Sequence, residues 1–74
     1  MTEKLPDKQA LFTVIQALGG DWDTKRAVLG LSVAGHEKAD DEATAKAARG
    51  ALRALTDDGL IVRPDPDRAV YRLA

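Results

Sequence analysis

The chain has 74 residues, no cysteine and a formal net charge of −1. Without cysteine it has neither a disulfide framework nor a thiolate metal site, which fits a reducing, cytoplasmic location. We predict a single domain over residues 1–74 and no membrane association, because no apolar run approaches the roughly 20 residues of a membrane span and the stretch 1–7 lacks the apolar core of a signal peptide.

Two helices are predicted in the N-terminal half. The first, over about 6–18, begins at Pro6, which suits a first helical turn, and ends at Gly19. The second is capped by Asp23 or Thr24 and fades before Gly35, its expected C-cap. Apolar residues recur along both segments at helical spacing. They are Leu11, Val14, Ile15 and Leu18, then Ala27, Val28, Leu29 and Leu31.

Three single residues outside these stripes have specific expectations. Trp22 lies between the two helices and is expected to have a structural role. Phe12 falls on the flank of the first apolar stripe, so it either borders the core or contacts a partner. His36, in the polar connection 35–41, is expected to be solvated.

A third helix is predicted over about 42–58, with Asp40 or Asp41 as its N-cap and Asp57-Asp58-Gly59 at its end. Its alanine content gives a high helix propensity. Gly50, in the middle, costs up to about 1 kcal/mol relative to alanine. That glycine is either kept for a close approach by a helix or by DNA, or is simply a weakness.

One side of the third helix is basic. Lys46, Arg49 and Arg53 fall within about 60° of one another on a helical wheel, opposite an apolar side. A single helix fits the DNA major groove, and arginine can bond guanine there through two hydrogen bonds. We therefore assign Thr44, Lys46 and Arg49 to base edges and Arg53 to a phosphate. An outward charged stripe is also what solvation alone produces on an amphipathic helix.

A β-hairpin is predicted over about 60–73, around the turn Pro64-Asp65-Pro66-Asp67-Arg68. Arg63 at its base and Arg68 at its tip are candidates for contacts with a phosphate or the minor groove. Asp65 and Asp67 oppose that role, because each carboxylate repels phosphate. The net charge of −1 also counts against nucleic-acid binding. Binding would therefore require that positive side chains cluster on one face of the protein.

Catalysis is not expected. The chain has one histidine and no cysteine, and it lacks the glycine-rich patterns that bind nucleotide phosphates. The carboxylate pairs Asp40-Asp41 and Asp57-Asp58 lie at predicted helix ends, where capping accounts for them. We predict no enzyme activity, no cofactor and no metal site.

The segment from Arg53 to Arg63, followed by Arg68 to Leu73, resembles the recognition helix and wing of bacterial and archaeal winged helix-turn-helix regulators such as MarR, ArsR and PadR. The resemblance implies an α+β fold of three helices and a β-hairpin wing, with Trp22 packed against the hairpin and a possible short third strand beside it. It also implies a small transcriptional regulator that binds double-stranded DNA, often as a homodimer. The 35–41 connection is longer than such domains need. The alternative is a winged-helix module that binds protein and not DNA.

Overall fold

A computed structural model describes residues 5–74 as three helices followed by a two-stranded antiparallel sheet. The predicted α+β class is confirmed. The prediction that the stretch 1–7 is not a signal peptide falls partly on residues 1–4, which lie outside this range. Between residues 5 and 74, every helix is too short or too polar to cross a bilayer. The elements are α1 (Asp7–Leu18), α2 (Thr24–Val33), α3 (Asp41–Asp57), β1 (Ile61–Val62) and β2 (Arg72–Leu73).

The helix boundaries follow from local capping chemistry. The Asp23 carboxylate accepts a hydrogen bond from the Arg26 amide (2.8 Å), and Asp40 accepts one from the Ala43 amide (2.7 Å). The N-cap of each helix is therefore the first of the two residues predicted for it. Ala34 is the C-cap of α2, one residue before the predicted Gly35. Gly59 has a φ of 77°, which glycine adopts without strain, and this left-handed turn leads the chain from α3 into β1.

The core lies where the apolar face of α3 packs against α1 and α2. Alanine at Ala48 and Ala51 lets the helices approach closely, while larger side chains fill the remaining space. Phe12 is half-buried against this cluster, as predicted for a residue at the core edge. The largest fully buried apolar side chains are Trp22, Leu11, Ile15, Leu31, Leu52, Leu55 and Ile61.

The sheet is shorter than predicted, and the stretch at Trp22 pairs with it as expected. Ile61 pairs with Leu73 and Val62 with Arg72, and pairing stops there, because Pro64 has no N–H to donate to the ladder. Tyr71 turns to the other side and forms an antiparallel bridge with Trp22, with both backbone N···O distances at 2.7 Å. The predicted contact between Trp22 and the hairpin is therefore confirmed.

The expectation that His36 is solvated is wrong. Its exposed fraction is 4%, and its Nδ1 lies 2.8 Å from the Asp7 carboxylate at the start of α1. The Lys38 ammonium binds the same carboxylate at 3.0 Å. These contacts hold the 35–41 connection against α1. The partner of His36 is 29 residues away in the chain, so local polarity gave no sign of its burial.

The Asp7 cluster makes stability depend on pH. Burial alone raises the pKa of Asp7, but the hydrogen bonds and positive charge of His36 and Lys38 outweigh it, and the pKa lies below its usual value of 3.8. A depressed carboxyl pKa stabilises the fold above the unfolded pKa, and that contribution is lost as the pH falls through the folded pKa.

We therefore expect Asp7→Asn to lower the free energy of unfolding at neutral pH by about 1–2 kcal/mol. The difference from the wild type should shrink as the pH falls below 3.8 and through the lower pKa of folded Asp7, where the wild-type carboxyl becomes protonated. Urea denaturation at neutral pH and at a series of acidic pH values measures this. Asp67→Asn is the control, because within residues 5–74 the Asp67 carboxylate accepts no hydrogen bond. A constant difference across pH would contradict the assignment.

Candidate nucleic-acid interface

The outer face of α3 carries Lys46, Arg49 and Arg53 into solvent. All three are exposed, and within residues 5–74 none of them forms an ion pair or donates a side-chain hydrogen bond. These side chains point outward because the opposite side of α3 is apolar, and its Leu52 and Leu55 are buried in the core. The three positive charges are therefore available to a ligand without breaking an interaction of the protein.

These cations line a single groove of about 550 Å³ between α3 and the hairpin. Tyr71 and Ala69 line it from the hairpin side, and Thr24, the first residue of α2, also lines it. We call this the basic groove, defined by its seven lining residues. They are Thr24, Lys46, Arg49, Gly50, Arg53, Ala69 and Tyr71.

The wall formed by the hairpin is held in place by the buried tryptophan. Tyr71 is paired with Trp22 through two backbone hydrogen bonds, and the Trp22 indole donates a further bond to the Gly19 carbonyl at 3.0 Å. The side chains of Ala69 and Tyr71 face the groove together, as alternation along an extended strand requires. The geometry of the groove is therefore set by the core and by the α1–α2 connection.

Thr44 does not belong to the basic groove, and its assignment to a base edge is corrected. Its exposed fraction is 1%. Its hydroxyl donates to the Asp40 carbonyl and accepts from the Lys38 amide, both at 3.0 Å. At 100° per residue, Thr44 lies almost opposite the basic stripe. Position in the first half of α3 suggested the contact, but the face of the helix excludes it.

Arg63 lies beside the groove and has a structural role in the hairpin. Its guanidinium donates to the carbonyls of Arg68 and Pro66, both at 2.8 Å, and so braces the turn. It shares a shallow depression with Arg53 and Tyr71, which continues the basic groove toward the end of α3. The structure therefore brings Arg63 next to Arg53, the last of the three cations of α3.

Arg68 is on the other face of the hairpin. It lines a small depression with Asp21, Asp65 and Arg72, away from α3. The Asp65 carboxylate accepts a hydrogen bond from the Asp67 amide at 2.9 Å, which accounts for this aspartate as a turn-forming residue. Of the six predicted DNA-binding residues, the structure brings together Lys46, Arg49, Arg53 and Arg63, and it separates Thr44 and Arg68 from them.

Negative charge borders the groove at its two ends. Glu42 is exposed one turn before Lys46 on the same side of α3, and Asp57 lies near Arg53 and Arg63. Positive charge is therefore concentrated over the middle turns of the helix. Between residues 5 and 74, no group of three or more histidine, cysteine or acidic side chains is arranged to hold a metal ion.

Sequence reasoning missed Thr24 and did not assign Ala69 or Tyr71 to the site. Ala69, Tyr71 and Leu73 alternate along the chain and so share one face of an extended strand, but nothing local indicates that this face lies against α3. Comparison with protein-family models, with curated proteins and with solved structures finds no match to the chain. Any functional inference therefore depends on the residues and geometry described above.

Proposed function

We propose that the chain is a winged helix-turn-helix domain that binds double-stranded DNA and acts as a small transcriptional regulator. The observation that carries the proposal is the basic groove. Three exposed cations on one helix face share it with the hairpin, and none has a partner in the described part of the chain. In this reading α3 is the recognition helix and the hairpin is the wing.

The positive charge of the basic groove complements the negatively charged phosphates of duplex DNA. The major groove of B-DNA is about 12 Å wide and admits one helix. Arg49, central among the three cations, is assigned to a guanine edge, where its guanidinium can donate two hydrogen bonds. Lys46 and Arg53 flank it and are assigned to a base edge and a phosphate respectively. Arg63 extends the positive surface along the phosphate backbone.

A net charge of −1 does not oppose this proposal, because local charge controls binding. Each phosphate contact releases condensed counterions, so affinity depends on the cations at the interface and not on the total charge. The acidic residues at the two groove ends restrict the contact to the middle of α3. We therefore expect modest affinity from one chain, and two chains on neighbouring half-sites would increase it.

The test is a fluorescence titration of a labelled duplex pool at several salt concentrations. We expect the logarithm of the association constant to fall with the logarithm of salt concentration with a slope of about −2, as for the two phosphate contacts assigned to Arg53 and Arg63. The stoichiometry of the complex reports on the proposed homodimer. An absence of binding at about 50 mM salt, where counterion release favours binding most, would refute the proposal.

A second candidate function is protein binding without DNA binding. It is favoured by an exposed apolar area on α1 and α2, where Leu18 is 66%, Leu29 61% and Val33 83% exposed. These three side chains line one groove with Val14. Apolar side chains grouped in this way are typical of interaction surfaces. The same duplex titration separates the two functions, because a protein-binding module would show no salt-dependent affinity for DNA.

A further inference from the structure

Gly50 is an unusual residue for its position. It lies in the interior of α3, where glycine is the weakest helix former after proline. Alanine occupies many of the neighbouring positions and would favour the helix more. The glycine therefore weakens the helix that carries the basic stripe, and its presence needs a physical reason.

The protein itself supplies no such reason. The φ of Gly50 is not positive, so its backbone conformation does not require glycine. A Cβ atom built on Gly50 would meet no heavy atom within 4 Å, so packing does not require glycine either. Gly30 in α2 is a contrasting case, because a Cβ there would lie 3.2 Å from both Leu11 and Trp22.

The space that the missing side chain leaves belongs to the basic groove. Gly50 lines it between the turns that carry Lys46 and Arg53, and the small side chain of Ala69 lies on the opposite wall. Both sides of the groove therefore carry a small residue, Gly50 or Ala69, near the three cations. A ligand can approach the main chain of α3 there more closely than it could beside a larger residue.

We propose that Gly50 admits a sugar–phosphate strand of duplex DNA to van der Waals contact with the backbone of α3. This inference rests on the proposed DNA binding and adds a specific point of closest approach. Lys46, Arg49 and Arg53 line the groove around that point, and Arg53, the residue assigned to a phosphate, holds the strand there. A methyl group at position 50 would project into the contact, although it meets only open space in the free protein.

The proposal predicts opposite effects of Gly50→Ala on stability and on binding. The melting temperature of the free protein should rise, because alanine favours the helix and its methyl group meets no neighbour. The dissociation constant for duplex DNA should increase about tenfold, because the added methyl group would overpack the contact between α3 and the DNA strand. Gly50→Leu should weaken binding further. The salt slope should stay unchanged, because no charge is altered.

Thermal denaturation followed by circular dichroism and the duplex titration test both effects on the same samples. Gln16→Ala, at an exposed position of α1, is the control for helix stabilisation away from the groove, and it should leave affinity unchanged. A Gly50→Ala variant that melts higher and binds duplex as tightly as the wild type would overturn the inference alone. A lower melting temperature would also overturn it. A wild type that does not bind duplex would overturn the proposed function as well.

Discussion

Replacing Lys46, Arg49 and Arg53 together by alanine is expected to weaken duplex binding by at least about 100-fold. The variant removes every cation that α3 contributes to the basic groove. Its fold should be unchanged, because the three side chains are exposed and unpaired within residues 5–74, and alanine is the best helix former. Circular dichroism confirms the fold, and the salt-dependent duplex titration measures the loss.

The single variants separate base recognition from phosphate contact. Arg49→Ala should cost about 1–3 kcal/mol on the preferred duplex and broaden the set of sequences bound, because Arg49 is assigned to a base edge. Arg53→Ala should weaken all duplexes about equally and make the salt slope less steep by about one, because Arg53 is assigned to a phosphate. Selection from a random duplex pool reads out the first effect.

Arg72→Ala is the matched control. It removes the same charge from the same residue type, but Arg72 lies on the far face of the hairpin, 3.4 Å from the Asp21 carboxylate. This exposed ion pair contributes little to stability. We expect duplex affinity to change less than about threefold. Equal losses for Arg72→Ala and Arg49→Ala would show that total charge, and not the basic groove, determines binding.

The sequence predicted the features of this fold that depend on neighbouring residues. Helix boundaries were predicted to within one or two residues, because an N-cap such as Asp40 bonds an amide only three positions away. The outward direction of Lys46, Arg49 and Arg53 was also predictable, since helical spacing alone separates them from the apolar side. The contact between Trp22 and the hairpin was predicted from the resemblance to winged-helix proteins.

Features that depend on distant residues were not predictable from local patterns. His36 is buried because Asp7, 29 residues earlier, accepts its hydrogen bond. Arg68 was predicted to contact a phosphate or the minor groove from the hairpin tip, but it lines a depression with Asp21 and Arg72 and not the basic groove. The burial of Thr44 could have been predicted, because the wheel that defined the basic stripe places this residue on the opposite side.

The expected effect of Trp22→Ala is loss of the folded state. Trp22 is the largest fully buried side chain, with an exposed fraction of 1%, and truncation of such a residue costs about 3–5 kcal/mol. A single core in a chain this short rarely supplies more stability than that. Far-UV circular dichroism at room temperature should therefore show a largely unfolded chain, and urea should produce no cooperative transition.

Trp22→Phe distinguishes the packing role from the hydrogen bond. Phenylalanine keeps most of the buried ring but removes the indole donor to the Gly19 carbonyl, at a cost of about 1–2 kcal/mol. It also weakens the contact with the Arg26 guanidinium, which lies 4.0 Å from the indole centroid. This variant should fold and unfold cooperatively at a lower urea concentration than the wild type.

Leu29→Ala is the control for these two variants, because a side chain that is 61% exposed should change stability by less than about 0.5 kcal/mol. The folded Trp22→Phe variant also connects the core to the basic groove. Since its backbone can still pair with Tyr71, the hairpin wall should remain in place and duplex affinity should stay within a few-fold of the wild type. A Trp22→Ala variant that unfolds at the wild-type urea midpoint would show that the bridge and the remaining core suffice to hold the hairpin against α3.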